Sequence, residues 1–99
     1  MDKIRNQAID NLMNVIAHLD SADDCYNFFS DLCTIKEMQD MAQRFEAAVM
    51  LSEGAKYQDI VATVKTSAAT ISRVSRCLKY GNGGYEKAIA LLKGEDDAD

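Results

Sequence analysis

The thirteen residues Ser67-Ala-Ala-Thr-Ile-Ser-Arg-Val-Ser-Arg-Cys-Leu-Lys79 bring hydroxyls, guanidiniums and very small side chains together at helical spacing. Ile71, Val74 and Leu78 recur three and four residues apart and can face a core. That leaves Ala68, Ala69, Ser72, Arg73, Arg76 and Lys79 on the outside. The chemistry open to such a face is hydrogen bonding and charge neutralisation, with no covalent step. A helix that enters the major groove touches base edges with its first turns. Ala68, Ala69 and Thr70 permit close approach there, and Ser72 and Arg73 supply hydrogen bonds.

A reading helix needs a second helix to set its angle on the duplex. Tyr57 to Val64 has Ile60, Val61 and Val64 on one side and predicts that helix. The connection falls at Lys65 and Thr66, with Ser67 as N-cap, its hydroxyl accepting an otherwise orphaned amide. Two short helices at a tight turn are the pattern of a helix-turn-helix spanning about 57–79. Such turns often carry glycine, for a positive φ, where this chain has Lys65. Lys56, Gln58, Lys65, Arg76 and Lys79 are placed for phosphates, and Arg73 for phosphate or base. Asp59 would be repelled by DNA and is expected to cap or pair locally.

The formal net charge of −5 opposes DNA binding, but it is an average. Between Lys56 and Lys79 five basic residues face one acidic residue, a local balance of +4 that leaves −9 for the remainder. Phosphate binding responds to the field within a Debye length of ~8 Å, so a basic face can act on an acidic body. The segment Glu95-Asp-Asp-Ala-Asp99 is expected to be a disordered acidic tail, for which aiding solubility is favoured over repelling DNA.

With 99 residues the chain is one small domain, expected over 1–94, and dimerisation would help it bury enough surface. No apolar run approaches the ~20 residues of a membrane span, and no secretion signal is evident, so a cytoplasmic protein without membrane contact is expected. Cys25, Cys33 and Cys77 lack metal-ligand spacing and are odd in number; buried or half-buried reduced thiols are expected, with no metal or cofactor. His18, the one histidine, reads as a residue on a polar helix face.

Ile4, Ala8, Ile9, Leu12, Met13, Ile16 and Leu19 predict a first amphipathic helix. Ser21 with Asp24 restarts the chain ahead of a short, apolar helix containing Tyr26, Phe28, Phe29 and Leu32. Thr34 with Glu37 forms a capping box for a longer helix through Met38, Met41, Ala42, Phe45, Val49 and Leu51, ending near Gly54. The run Gly81-Asn-Gly-Gly84 follows no strand and precedes no lysine-serine or lysine-threonine pair, so an interhelical turn is favoured over a phosphate cradle. Tyr85 to Lys93 predicts a last helix, with Tyr85, Ile89, Leu91 and Leu92 available for packing. The fold class is all-α, with about six helices and no proline to break them.

Thr34-Ile-Lys-Glu-Met-Gln-Asp-Met-Ala-Gln-Arg-Phe-Glu46 and Ala69-Thr-Ile-Ser-Arg-Val-Ser-Arg-Cys-Leu-Lys-Tyr-Gly81 together resemble the tryptophan repressor superfamily, most closely its YerC/YecD branch. The resemblance covers nearly the whole chain. It implies an intertwined all-helical homodimer whose paired helix-turn-helix units face successive major grooves. The apolar segment from Tyr26 to Leu32 would then find its partner surface on the other chain. In tryptophan-responsive members, two arginines hold the corepressor between the central and recognition helices. Arg44 and Arg73 match these, and Thr34 matches a threonine at the pocket edge. Val74 replaces a glycine beside the indole and Cys77 a serine that holds the head group. This resemblance therefore implies a ligand pocket at Thr34, Arg44, Arg73, Val74 and Cys77, with an unidentified small effector and without tryptophan. A second reading of Arg44 is a surface cation pairing with Asp40 or Glu37 on its own helix.

The expected function is sequence-specific binding of double-stranded DNA by a two-fold homodimer acting as a transcriptional regulator, most simply a repressor. The alternative is a protein-interaction or structural dimer that keeps the helix-turn-helix shape without DNA, which the acidic remainder favours. One histidine and no nucleophile-base spacing leave little basis for an enzyme.

Overall fold

The computed structural model describes residues 2–94, so the acidic 95–99 segment lies outside the described residues. A short 3-10 helix, Asp2–Ile4, precedes six α-helices: α1 (Gln7–His18), α2 (Ala22–Leu32), α3 (Ile35–Ser52), α4 (Tyr57–Val64), α5 (Ala68–Tyr80) and α6 (Gly84–Leu92). No strand occurs among the described residues. The chain divides into two compact units, residues 1–38 and 39–99, the division falling within α3.

In the first unit the helix starts follow local side-chain chemistry. α1 begins at Gln7, later than its apolar stripe predicts, because Asn6 takes the N-cap: its backbone is extended and its side chain accepts the Ile9 amide at 2.8 Å. Ser21 caps α2 by accepting the Asp24 amide at 3.0 Å. Thr34 and Glu37 close the full capping box, Glu37 N–H to Thr34 Oγ1 at 3.0 Å and Thr34 N–H to Glu37 Oε1 at 2.8 Å. His18 is exposed, its Nδ1 2.7 Å from the Asn14 carbonyl oxygen. No residue of α1 or α2 is buried, although both are amphipathic. Tyr26 and Leu32 stay 66% and 50% exposed.

The core of the second unit has two joined parts. Ala47 packs with Ile60, Val64 and Ile71; Ala48 packs with Val74 and Ile89. Leu51 flanks both. The periodicity of α3 points to its large side chains, yet the two residues it buries fully are alanines. Their small size lets neighbouring helices come near enough to fill the space with Ile60, Ile71 and Val74, the largest fully buried side chains. Of the apolar residues expected to pack from the last helix, Ile89 is buried and Tyr85 half-buried, whereas Leu91 and Leu92 remain exposed. Lys93 reaches Glu53 at 3.3 Å, a solvent-accessible pair of small energetic weight.

Candidate nucleic-acid interface

α4 and α5 are joined by three residues, Lys65 to Ser67, and each end of that link has a defined cap. Lys65 adopts φ 60° and ψ 44°, the left-handed conformation, and its amide donates to the Val61 carbonyl at 3.0 Å. The lysine therefore takes the positive φ that glycine would accept without strain. Ser67 returns to extended backbone and caps α5. Its Oγ accepts the Thr70 amide at 3.1 Å and stands 3.0 Å from Thr70 Oγ1. Ile60 and Val64 from α4 and Ile71 from α5 are buried together, so the two helices share one core and hold each other's direction.

The opposite side of this pair is open. Ala68, Ala69, Ser72, Arg73, Arg76 and Lys79 are all exposed, as are Lys56, Gln58, Lys65 and Ser67. Thr70 is half-buried. No described residue pairs with the cationic groups of Lys56, Lys65, Arg73, Arg76 or Lys79. The basic face is thus presented without internal neutralisation from the described residues, the condition under which an external polyanion releases counterions most effectively. Ser75, which hydropathy gives no reason to place inside, is buried because it lies four residues after Ile71 and three before Leu78, on the same inward helix face.

The five residues of the expected ligand pocket differ in exposure. Val74 is 1% exposed and belongs to the core with Ala48 and Ile89. Arg44 is half-buried on α3, and Thr34 belongs to the first unit, where it caps α3. Arg73 and Cys77 do come together: with Arg76, Tyr80 and Gly81 they line an open cleft of about 460 Å³. Cys77 is exposed, correcting the expectation of buried or half-buried thiols; Cys25 and Cys33 are half-buried. Four residues after Arg73, Cys77 shares that residue's outward face and so opens into this cleft.

A second cleft of about 470 Å³ shares Cys77 and Gly81 and continues along Phe45, Asn82, Gly84, Tyr85 and Ala88. Tyr80, 82% exposed, was not singled out by sequence. Its seven-residue spacing from Arg73 is the signal that could have placed it on the same face.

The Trp repressor protein family model matches residues 7–93. YerC of Bacillus subtilis strain 168, an uncharacterised protein, is 50% identical over 93 residues, covering 94% of this chain and 89% of that relative. The solved structure of a TrpR-like protein from Eubacterium eligens ATCC 27750 is similar with a TM-score of 0.89 and 44% identity, over 94% of this chain and 96% of that one. That of a candidate Trp repressor from Staphylococcus aureus is similar with a TM-score of 0.88 and 39% identity, over 93% and 92%. In sequence and in backbone alike, this chain belongs to the Trp repressor family.

Proposed function

We propose that this protein is a DNA-binding transcriptional regulator that engages operator DNA as a two-fold homodimer and represses. The observation that supports this most is the exposed face of α5. Small residues and hydroxyls occupy its first turns, arginines and lysine follow, and no described acidic group neutralises them. In this reading Ala68, Ala69, Thr70 and Ser72 approach base edges. Lys56, Gln58, Lys65, Arg76 and Lys79 contact phosphates, and Arg73 serves either. Family membership supports the same reading.

The homodimer is supported by the first unit. Two amphipathic helices without a single buried residue cannot supply the apolar burial that holds helices in place, and a second copy offers a matching surface. The helical domain over 1–94 then acts as one half of a symmetric reader, with half-sites about one turn, ~34 Å, apart. A small effector, distinct from tryptophan, would act through the cleft at Arg73 and Cys77, beside the reading helix.

Selection from random double-stranded oligonucleotides tests the proposal, using the wild type, Arg73→Ala and Arg76→Ala. Enrichment of a two-fold motif by the wild type, lost in both variants, is expected. No enrichment at low salt would instead favour a protein-interaction dimer, the reading to which the acidic remainder of the chain belongs.

A further inference from the structure

Lys65 stands in a backbone conformation that its side chain disfavours. Among the described residues it is the one non-glycine position with positive φ; the others are Gly54, Gly83 and Gly94. In the left-handed region the Cβ crowds the following carbonyl, a contact glycine does not make. The turn requires the conformation, because α4 must end and the chain reverse before Ser67 caps α5. It does not require the side chain. Lys65 is exposed, lies outside both core clusters, and forms no ion pair with a described residue.

Backbone geometry therefore disfavours lysine at this position, and no contact among the described residues compensates for it. Strained backbone of this kind persists only where the surrounding structure imposes it, and it clusters at functional sites. Resting on the DNA-binding reading above, we infer that Lys65 is a dedicated phosphate-gripping residue, held at the interhelical turn at the expense of folding stability. Its ammonium projects from the link that leads into α5, so it meets the sugar-phosphate backbone at the groove edge while α5 occupies the groove. It fixes the depth and register of the reading helix and carries no sequence preference of its own. The protein without it is more stable and a weaker DNA binder.

The test uses the full chain with Lys65→Gly, Lys65→Asn and Lys65→Arg, measuring thermal unfolding and DNA affinity across a salt series. Glycine and asparagine tolerate positive φ, so both variants should unfold about 4–8 °C higher than the wild type. Their affinity should drop about tenfold at physiological salt. The slope of log K against log salt should lose about 0.9 per protomer, the loss of one phosphate contact each. Lys65→Arg should keep the wild-type slope and midpoint. Unchanged slope and affinity in Lys65→Gly overturn the phosphate role while leaving DNA binding by the wild type intact. A glycine variant no more stable than the wild type overturns the conflict between folding and function. A wild type that binds no DNA at low salt overturns this inference together with the reading it rests on.

Discussion

Ser67 is a position where capping and DNA contact can be separated by two substitutions. Its Oγ accepts the Thr70 amide at 3.1 Å, and the first turn of α5 contains no acidic residue. Alanine removes the acceptor and should lower stability by about 1 kcal/mol, roughly a fivefold loss in the folding equilibrium and about 4–8 °C in the midpoint. Aspartate caps as well as serine and places a negative charge at the positive end of the helix, worth about 0.3–1 kcal/mol more. Ser67→Asp should thus be at least as stable as the wild type. Its DNA binding should nevertheless be much weaker, since a carboxylate about 4 Å from a phosphate costs about 1 kcal/mol even at the dielectric constant of water, and more where water is excluded. Circular dichroism melts and fluorescence anisotropy on the selected operator read the two effects independently. If Ser67→Asp is destabilised like Ser67→Ala, the cap is misassigned. If it binds DNA as tightly as the wild type, the start of α5 does not face the duplex.

Other consequences are more local. In Gly81→Ala the new methyl would meet the Cys77 carbonyl, whose oxygen accepts the Gly81 amide at 2.8 Å; a loss of about 1–3 kcal/mol is expected in chemical denaturation. Ile71→Ala empties a fully buried site between α3, α4 and α5 and should cost about 2–5 kcal/mol, with unchanged stability contradicting the shared core. Leu32→Glu puts a charge on the open apolar face of the first unit and should shift sedimentation from dimer to monomer; a dimer unaffected by it would place the interface elsewhere.

Local chemistry made much of this fold legible. The caps at Ser21, Thr34 and Ser67 depend on residues three apart and were readable without tertiary information. Asn6 was not read as a cap, because Ile4 continued the apolar stripe and the competing hydrogen bond to the Ile9 amide leaves no mark on periodicity. Ala47 and Ala48 were missed for a different reason. Hydropathy weights large side chains, while a close helix crossing selects small ones, and where helices cross is decided by the whole unit. Leu91 and Leu92 show the converse, apolar residues whose spacing fits a stripe but which the second unit leaves exposed.

The interface and the cleft differ in the same way. Every outward residue of α5 follows from the phase of one helix, set by Ile71, Val74 and Leu78. The cleft at Arg73, Cys77, Tyr80 and Gly81 depends on where α5 stops: the family pattern supplied Arg73 and Cys77 of its lining, while Tyr80 and Gly81 come from the end of the helix, which that pattern did not address. Lys65 lies between these cases. Its position in the turn and the positive φ that such a turn calls for were both legible; the structure adds that its amide ends α4 by donating to the Val61 carbonyl.

The central claim, that two copies of α5 grip one duplex through its phosphates, is tested most directly by titrating a selected operator with the protein across a salt series. With the four phosphate-facing cations of each chain engaged, about eight phosphates are neutralised and log K should fall against log salt with a slope of roughly −7, at a stoichiometry of two chains per operator. A slope near zero, or saturation at one chain per operator, would contradict it.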